Sequence, residues 1–265
     1  MQENADRLAR LARAWDESAA GYEAYFVPRF APWVDLAVAG VTDADLPDGA
    51  ILVPCCGTFP ELDRLIDRFP DREIVGIDLS PGMVELARDR AAGRPHVEAI
   101  VGDAQALDAR WTGRCAAVVS VFGLQQLPDP LAAVRAWLDA LRPGGRLSVV
   151  FWPDVTETDG PFALVAAVIR ANLPAYDDSR WESELAAAVT DHGAVLDRDE
   201  LPTFPMTHAA AAEYFDAAAH SGPLRSLAIA RGDAFMDRLR AEFLRRAPAG
   251  EWRHDPHARL ITAHR

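Results

Sequence analysis

One loop between two short apolar segments constrains this chain more than any other feature. Residues 51–62 read ILVPCCGTFPEL and residues 74–80 read IVGIDLS. An apolar run that enters a glycine-containing turn, then a helix, then a second apolar run ending in an acid is the layout of a nucleotide-binding β-α-β unit. In such a unit the acid, here Asp78, accepts hydrogen bonds from ribose hydroxyls. The turn is atypical, because Cys55 and Phe59 stand where small glycines are expected.

The length and composition are those of a globular protein. The chain has 265 residues, of which 50% are hydrophobic, and this is enough for one large α/β domain with a sizeable core. The N-terminal residues are charged throughout, without an apolar signal core, and no later stretch is apolar enough to span a bilayer. We therefore expect a soluble, cytoplasmic protein that has no membrane partner.

The charged residues exclude several functions. A net charge of −13 argues against a nucleic-acid partner, which needs a basic footprint. All 27 basic residues are arginine, so neither a Schiff-base lysine nor a phosphate-loop lysine is present. Residues 223–265 hold nine arginines against five acids. That excess indicates either a solvated helix face or an arginine such as Arg225 that binds an anionic substrate.

The three cysteines predict neither disulfides nor a metal site. Cys55 and Cys56 are adjacent, Cys115 is distant, and no Cys-x-x-Cys or histidine cluster offers metal-ligand spacing. We expect reduced thiols and no bound metal.

Helical periodicity dominates the N-terminal region. Trp15, Ala19, Tyr22 and Phe26 recur on one helix face, which Pro28 interrupts. A second short helix is predicted over residues 32–39, before a turn at 46–49. The sequence therefore predicts two N-terminal helices.

Strands and helices alternate from residue 51 onward. Strands are predicted to begin at 51 and to cover 73–78, 96–101, 115–121 and 146–152, with helices over 59–69, 81–92 and 130–141. Ser80 caps the second of these helices, and Pro143-Gly-Gly145 ends the third. This alternation predicts a parallel sheet with helices on both faces.

The C-terminal part has a looser pattern. Helices are predicted over 162–171, 182–190, 207–219 and 224–246, with an extended segment over 194–206 and a closing strand over 259–263.

Five segments match one known family in order. They are residues 51–62, 75–83, 101–104, 122–129 and 141–147. Over residues 12–152 the chain resembles the class I S-adenosylmethionine-dependent methyltransferases, in the branch of the ubiquinone and menaquinone biosynthesis enzymes. The resemblance implies an α/β, Rossmann-like, doubly wound, seven-stranded and mostly parallel sheet, with N-terminal helices and a helical cap inserted before the last strand. It implies a single domain with an N-terminal helical cap (1–45), a cofactor-binding core (46–152) and substrate-side helices and closing strands (153–265).

The same resemblance implies an S-adenosylmethionine site. Backbone N–H groups of the turn suit the methionine carboxylate, Asp78 suits the ribose and Asp103 suits the adenine amino group. Each acid has an alternative interpretation: Asp78 as a helix-capping acid and Asp103 as a turn-forming residue. The predicted cofactor-binding residues are Cys55, Cys56, Gly57, Thr58, Asp78, Leu79, Met83, Asp103, Ala104 and Ser120.

The turn departs from the family pattern at three positions. Val53 replaces an acid, and Cys55 and Phe59 replace glycines. A cysteine side chain crowds the approach of a ligand, and Phe59 needs a compensating gap in the helix–strand packing. A reactive role for the cysteine pair is disfavoured, since no base or cation is near in sequence.

The substrate side is predicted from the same resemblance. Methyl transfer is an in-line displacement that mainly needs alignment in a water-poor pocket. If the acceptor is a hydroxyl or amine, a base must take a proton, and His220 with Tyr22 as partner is the first candidate. The histidines other than His208 and His220 lie at strand edges, turns or the C-terminal region and are weaker candidates for the base. For the aromatic residues, packing in the core is the alternative to substrate binding. The predicted substrate-binding residues are Tyr22, Tyr25, Phe26, Phe122, Gln125, Trp152, His208 and Arg225.

The sequence thus predicts a methyltransferase, monomeric or homodimeric, for a small, largely apolar or aromatic metabolite in specialised or quinone-like biosynthesis. The altered turn also allows a scaffold of the same fold that binds the cofactor and catalyses a non-methylating rearrangement, or a partner protein. A nicotinamide-dependent oxidoreductase would need Gly-x-Gly-x-x-Gly, which the turn lacks.

Overall fold

A computed structural model of the chain describes residues 2–42, 46–173 and 179–265. The chain forms two compact units. The helical unit comprises Met1–Arg29, Asp154–Asp178 and Thr203–His257, and the sheet unit comprises Phe30–Pro153, Ser179–Pro202 and Ala258–Arg265. The domain boundary predicted at residue 45 lies outside the described residues.

Helices and strands are numbered here in chain order. The helices are α1 (Gln2–Ala39), α2 (Leu62–Arg68), α3 (Pro81–Ala91), α4 (Pro130–Ala140), α5 (Pro161–Asn172), α6 (Arg180–Asp191), α7 (Ala211–Ala219), α8 (Gly222–Arg231) and α9 (Asp233–Arg246). The strands are β1 (Ala50–Pro54), β2 (Ile74–Asp78), β3 (Val97–Val101), β4 (Cys115–Val121), β5 (Leu141–Phe151), β6 (Val195–Glu200), β7 (Met206–His208), β8 (Trp252–His254) and β9 (Arg259–His264).

The predicted sheet is confirmed. Within the described residues, seven strands of the sheet unit pair in the order β3-β2-β1-β4-β5-β9-β6. β1 to β5 are parallel, and β9 is antiparallel to both of its neighbours. The order reverses direction between β1 and β4. In doubly wound sheets, ligands bind at the carboxyl ends of the strands beside that reversal.

The core of the sheet unit is apolar and closely packed. Leu52, Val118 and Leu147 are fully buried. Trp137 of α4 is also fully buried, and its indole N–H donates to the carbonyl of Ala104 at 2.7 Å, which satisfies its one polar group.

The N-terminal region corrects the prediction of two helices. α1 is one helix of 38 residues that continues through Pro28 and Pro32. A proline in a helix interior removes one backbone hydrogen bond and costs about 3 kcal/mol. Phe26, Phe30 and Trp33 on the same helix are buried, and burial of side chains of this size contributes about 1.5–3 kcal/mol each. The free energy gained by burying these side chains therefore offsets the cost of the prolines, and the helix continues.

The helical unit contains α5, α7, α8, α9 and a two-stranded antiparallel ribbon of β7 and β8. The helix predicted over 207–219 begins only at Ala211. The residues before it form β7, in which Met206 pairs with His254 and His208 pairs with Trp252 of β8. The sequence did not predict β8. The helix predicted over 224–246 is two helices. They are separated at Gly232, whose φ of 81° ends α8.

The segment after α4 also differs from its prediction. β5 begins at Leu141, so Pro143-Gly-Gly145 lies inside the strand. The pairing with β4 shifts there, since Cys115 pairs with Leu141 whereas Ala117 pairs with Arg146. The residues between them therefore form a bulge, a feature that glycines accommodate.

No helix among the described residues is long and apolar enough to cross a membrane.

Replacing Pro28 with alanine tests the cost of the proline within α1. Pro28 is exposed, so the substitution removes little packing while restoring one backbone N–H. We expect the free energy of unfolding, measured by urea denaturation, to rise by about 2 kcal/mol. This is the cost of about 3 kcal/mol for a proline inside a helix, less about 1 kcal/mol because alanine makes the unfolded chain more flexible. Pro81→Ala is the matched control, since Pro81 occupies the first turn of α3 and should give no gain. A Pro28→Ala variant no more stable than the native chain would contradict this account.

Candidate functional site

The loop after β1 keeps the backbone of a glycine-rich turn although it has lost two glycines. Cys55, Gly57 and Phe59 have φ angles of 58°, 51° and 66°, all in the left-handed region. That conformation costs a residue other than glycine about 1–2 kcal/mol. The loop therefore holds its shape against local strain at Cys55 and Phe59.

Glycines elsewhere in the sheet unit make room for the two larger side chains. A Cβ built on Gly123, just after β4, would lie 2.1 Å from the Cβ of Cys55. A Cβ built on Gly76 of β2 would lie 2.8 Å from the ring of Phe59, which is fully buried. The compensating gap that the sequence required for Phe59 is therefore present at Gly76.

Hydrogen bonds to the Asp78 carboxylate link this loop to the end of β2. One carboxylate oxygen accepts from the Gly57 N–H at 2.9 Å, and the other accepts from the Ser80 N–H at 2.9 Å. The predicted cap is also present, because the Ser80 hydroxyl accepts from the Met83 N–H at 3.1 Å. Carboxylate oxygens each accept more than one hydrogen bond, so these contacts leave Asp78 able to receive ribose hydroxyls.

Several loop N–H groups are used within the protein. Those of Cys56 and Phe59 donate to the carbonyls of Ile77 and Cys56, at 3.0 and 2.8 Å. With the Gly57 N–H on Asp78, three amides of the turn hold its shape. Backbone N–H groups of the turn were predicted to bind the methionine carboxylate of the cofactor. These three N–H groups already have partners within the protein, so the prediction does not extend to them.

The other predicted cofactor residues have different surroundings. Leu79 is exposed and Met83 is buried. Asp103 is exposed, and its carboxylate accepts from the Gln105 N–H at 2.8 Å. This local hydrogen bond agrees with the interpretation of Asp103 as a turn-forming residue. Ser120 is fully buried and donates to the carbonyl of Pro54 at 2.9 Å, so it ties β4 to β1. Thr58 and Ala104 are also buried. Their direct contact with a cofactor stays a prediction.

The cysteine pair has the properties of inert thiols. All three cysteines are free. Burial raises the pKa of Cys55 and of Cys56 well above the ordinary value, and the nearby carboxylates of Asp78 and Glu61 raise both further. A thiol protonated at neutral pH is a poor nucleophile.

A buried acid that the sequence did not single out lies behind the loop. Glu61 is 1% exposed, and its Oε2 atom has no hydrogen-bond partner. Burial raises the pKa of Glu61 to about 8, although its own backbone N–H and the guanidinium groups of Arg90 and Arg64 act in the opposite direction. Glu61 is therefore protonated at pH 7.

Predicted substrate residues of the sheet unit do come together. The rings of Phe122 and Trp152 stack with centroids 4.1 Å apart and planes 2° apart, and Phe30 and Trp33 contact both. Gln125 donates to the carbonyl of Phe122 at 2.6 Å, while its buried Oε1 has no partner. Phe30 and Trp33 were not predicted from the sequence, because Pro32 interrupts the helical periodicity that links them.

In the helical unit, Tyr22 contacts the rings of Trp15 and Phe26, with centroids 5.3 and 5.9 Å away. His220 is exposed at the end of α7, where its ring Nδ1 lies 2.7 Å from the Asp216 carbonyl. Its role as a base stays a prediction.

Arg225, which was predicted to bind substrate, forms an ion pair with Glu17, with 2.7 Å between Nε and Oε2. This pair agrees with the helix-face interpretation of the C-terminal arginines.

The helical unit contains a buried chain of hydrogen-bonding side chains, most of which the sequence did not predict. His208, predicted to bind substrate, is fully buried, and its ring nitrogens lie 2.8 Å from the Tyr25 hydroxyl and 3.0 Å from His254. His254 in turn lies 2.6 Å from Glu157. In β7, Met206 and His208 are buried on one face of the strand and Thr207 is exposed.

The loop residues fit the adenosyl part of S-adenosylmethionine. Asp78 lies beside the strand reversal, where the ribose acid of this fold belongs. A Cβ built on Gly57 would meet no atom closer than the Met83 sulfur at 4.0 Å, so the backbone there is open to close approach. The Cys55 Cβ lies against Gly123.

A cleft of about 1020 Å³ opens where β1 begins, and Gly49, Ala50 and Trp111 contribute to its lining. Its charged residues are four arginines and four acids, which balance, and it carries no evident chemistry.

Comparisons with known proteins identify relatives of this chain. A family model described as a methyltransferase domain matches residues 51–145. The trans-aconitate 2-methyltransferase of Streptomyces coelicolor is 30% identical over 194 residues, which cover 71% of this chain and 59% of that protein. A ubiquinone biosynthesis O-methyltransferase of Xanthomonas campestris is 32% identical over 123 residues, covering 43% of this chain and 50% of that protein. The chain thus spans 50–59% of the length of these relatives.

Solved structures show the same fold. A geranyl diphosphate methyltransferase in complex with GPP and sinefungin is 18% identical, with a TM-score of 0.55 over 89% of this chain and 77% of that one. The [4+2]-cyclase SpnF is 20% identical, with a TM-score of 0.53 over 88% of this chain and 80% of that one.

A double-mutant cycle tests the pairing of Cys55 with Gly123. Gly123 has a φ of −96°, which any residue adopts, so the contact with Cys55 is the main obstacle to a side chain there. We expect Gly123→Ala to lower the free energy of unfolding by about 1–3 kcal/mol and Cys55→Gly to restore most of that loss. Gly21→Ala, with no atom near its Cβ, controls for the helix-forming effect of alanine. A double variant no more stable than Gly123→Ala would refute the pairing.

Glu61 makes stability depend on pH. Its folded pKa of about 8 exceeds the ordinary 4.5, so between these values the unfolded chain releases a proton that the folded chain keeps. The free energy of unfolding should therefore fall as pH rises from 4.5 to 8, and Glu61→Gln should show a smaller decline in chemical denaturation. Glu73→Gln, which removes an exposed acid, is the control. Parallel pH curves for the native chain and Glu61→Gln would be inconsistent with a buried, protonated Glu61.

Proposed function

We propose that this chain, whose residues 51–145 belong to the methyltransferase domain family, transfers a methyl group from S-adenosylmethionine to a small, largely apolar or aromatic molecule. The acceptor atom is oxygen, nitrogen or carbon, and the setting is specialised-metabolite or quinone-like biosynthesis. The protein acts in the cytoplasm as a monomer or homodimer.

One observation carries the proposal. Asp78 stands at the carboxyl end of β2 beside the strand reversal, with its carboxylate held by the Gly57 and Ser80 N–H groups. A carboxylate fixed in this way has a defined direction before any ligand arrives, so little ordering cost is left for binding. Two adjacent ribose hydroxyls are the partners that such an acid recognises in this fold.

The remaining contacts follow from the loop. When bound, S-adenosylmethionine supplies a methyl group on a positively charged sulfur. Asp78 holds the ribose, Gly57 permits close approach of the backbone, and Leu79 and Met83 offer apolar surface to the adenine. Asp103, whose carboxylate also forms a local turn, offers an acceptor to the adenine amino group.

Features of the sheet unit support a small aromatic or apolar acceptor. The stacked rings of Phe122 and Trp152 provide an apolar surface, and the buried Oε1 of Gln125 offers a hydrogen-bond acceptor beside it. Aromatic faces also stabilise positive charge, which a sulfonium carries. The names of the relatives, which include a trans-aconitate and a ubiquinone biosynthesis enzyme, are consistent with a small acceptor.

A second candidate is a protein that binds the cofactor without transferring its methyl group. The observation that favours it is the strained loop, in which Cys55 and Phe59 occupy glycine conformations and Val53 replaces an acid. The [4+2]-cyclase SpnF shares this fold, so the fold is compatible with chemistry other than methyl transfer. Cofactor binding without methyl transfer to any acceptor would favour this candidate.

Asp78→Asn tests the proposed function by calorimetry with S-adenosylmethionine and S-adenosylhomocysteine. The variant keeps the size of the side chain but loses its charge, so we expect the Kd to rise about 10- to 100-fold, as for the loss of 1.5–3 kcal/mol of charged hydrogen bonding.

Asp108→Asn is the control for that measurement, because Asp108 accepts a similar local bond from the Arg110 N–H at 2.8 Å. Absence of binding to the native chain at millimolar cofactor would overturn the proposed function. Methyl transfer from labelled S-adenosylmethionine to a panel of small aromatic acceptors separates it from the second candidate.

A further inference from the structure

Five side chains of the helical unit form one hydrogen-bonded row that has a carboxyl group at each end. The Tyr25 hydroxyl lies 2.8 Å from His208 Nδ1, and His208 Nε2 lies 3.0 Å from His254 Nε2. At the inner end, His254 Nδ1 lies 2.6 Å from Glu157 Oε2. At the outer end, the Tyr25 hydroxyl also hydrogen-bonds the Glu213 carboxylate. The row therefore contains four polar contacts in sequence.

The inner part of this row is withdrawn from water. His208 is fully buried, and the side chains of His254 and Glu157 are 2% and 5% exposed. Tyr25 is partly exposed, and Glu213 lies at the surface. A buried contact without a proton sets two lone pairs against each other, and this costs free energy that water cannot recover. The number of protons in the row therefore matters to the folded state.

Four contacts need four protons. When both carboxyl groups are ionised and both histidines are neutral, the row holds three protons, one on the Tyr25 hydroxyl and one on each imidazole. One contact is then left with two acceptors facing each other. A row that is complete in all four contacts therefore holds one proton more than neutral histidines and ionised acids supply.

The outer end sets the direction of the donors in the complete row. The Arg29 guanidinium lies 3.5 Å from Glu213, and an ionised carboxylate only accepts hydrogen bonds. Burial raises the pKa of Tyr25 to about 12, and the Glu213 carboxylate adds to that rise, so Tyr25 is a neutral hydroxyl. Tyr25 therefore donates to Glu213. The Tyr25 oxygen then accepts from His208, which must carry its proton on Nδ1.

The extra proton falls at the inner end. Burial, with His254 and Arg29 nearby, lowers the pKa of His208 to about 3, so His208 has a single ring proton. When that proton is on Nδ1, His208 Nε2 accepts from His254 Nε2–H. The 2.6 Å contact between His254 Nδ1 and Glu157 then needs a further proton. His254 and Glu157 share it.

The surroundings of Glu157 suit a carboxylate that faces an imidazolium. Glu157 Oε1 accepts from the N–H groups of Phe162 and Ala163 at 2.7 and 3.2 Å, in the first turn of α5. A Cβ built on Gly160 would overlap the Glu157 carboxylate, so the glycine makes room for it. Helix N-termini favour anions. These donors therefore favour the charge on Glu157 and the proton on His254.

The other rings that pack against the two imidazoles are uncharged. The Phe162 ring lies 5.1 Å from that of His254, and the Tyr214 ring lies 4.8 Å from that of His208. Burial raises the pKa of Tyr214 well above its ordinary value. The Arg29 guanidinium lies 3.8 Å above the Tyr25 ring, and its charge disfavours a second cation at the outer end. Arg253 and Asp255, which flank His254 in the chain, are exposed.

We propose that this row is a pH-sensitive hydrogen-bond switch that binds one proton from solvent. With the proton, His254 is an imidazolium against Glu157, and every other donor points outward to Glu213. Without it, the direction reverses. Tyr25 then donates to His208 Nδ1, His208 Nε2–H donates to His254, and His254 Nδ1–H donates to Glu157. Every group lies in the helical unit, so the inference does not depend on the proposed function.

The proton count balances in both forms. The proton-free row has two carboxylates and a net charge of −2, and uptake of one proton brings it to −1. His208 is neutral in both forms and only exchanges the nitrogen that carries its proton. A protonation at the buried His254 is therefore transmitted to the Tyr25 hydroxyl without a second ionisation.

The switch controls a contact between two helices of the unit. In the proton-bound form, Tyr25 of α1 donates to Glu213 of α7. In the proton-free form, the Tyr25 proton points to His208, and the oxygens of Tyr25 and Glu213 face each other without a proton. The hydrogen bond between α1 and α7 is thus present only while His254 holds the extra proton.

Nitrogen-15 NMR of the histidine rings in the native chain is the first test. Spectra from about pH 5 to about pH 9 span the ordinary titration range of histidine. We expect His208 to carry its proton on Nδ1 at the acidic end and on Nε2 at the alkaline end, in the same step in which His254 loses one of two ring protons. A single tautomer of His208 across the range, or protonation of His208 before His254, would overturn the switch.

Glu157→Gln should lock the row in its outward direction without the extra proton. The introduced amide can keep its oxygen on the α5 N–H groups and donate its own N–H to His254 Nδ1, so all four contacts are filled while both histidines are neutral. We expect His208 to stay protonated at Nδ1 over the whole pH range. A tautomer change at the native midpoint would contradict the proton count.

Glu213→Gln should have the opposite effect. The introduced amide can donate to the Tyr25 oxygen, so the proton-free form loses its unfilled contact and the proton-bound form loses a charged acceptor. We expect the midpoint of the His208 tautomer change to fall by about one to two pH units. This is a 10- to 100-fold loss of proton affinity, as expected for one hydrogen bond to a charged group.

Glu242→Gln is the matched control in the same unit, since Glu242 of α9 accepts from Asn172 and pairs with Arg246. It should leave the midpoint unchanged. Opposite effects of Glu157→Gln and Glu213→Gln are not produced by a general loss of packing. A midpoint that Glu213→Gln leaves unchanged or raises would overturn the switch, and the titration of the native chain decides it if either variant does not fold.

Discussion

The carboxylate of Asp78 is the contact on which the candidate site depends. It joins the loop after β1 to the turn that begins α3, through the Gly57 and Ser80 N–H groups. The strained backbone at Cys55 and Phe59 keeps its shape because this carboxylate and the neighbouring backbone bonds hold the turn from one side. The same acid is the residue that the fold uses toward ribose. Structural support and the proposed recognition of the cofactor thus fall on one side chain.

Two acids, one in each unit, differ in their hydrogen-bond partners. Glu61 lies behind the loop with one oxygen lacking a partner, and its pKa is raised to about 8. The Glu157 side chain is 5% exposed; it accepts from the N–H groups of Phe162 and Ala163 in α5 and contacts His254. Both oxygens of Glu157 therefore have hydrogen-bond partners, whereas Oε2 of Glu61 has none.

Local features of the sequence predicted much of the fold. The strands of the sheet, the Ser80 cap and the position of Asp78 follow from periodicity and from residues close together in the chain. The continuity of α1 through Pro28 and Pro32 did not, because tertiary burial opposes the local signal there. The histidine chain was also beyond prediction. Its contacts join residues 183, 46 and 97 positions apart, and a lone histidine carries no sign of its distant partner.

The glycines opposite Cys55 and Phe59 have a consequence for exchanging parts between related proteins. The loop of this chain fits only a sheet that lacks side chains at positions 76 and 123, since a Cβ at either would lie within 3 Å of the loop residues. A graft of the loop alone into another protein of this fold would collide with its strands wherever these positions carry a side chain. The transferable module is therefore four positions from three strands and their loops, and each larger residue is tolerated only with its glycine already in place.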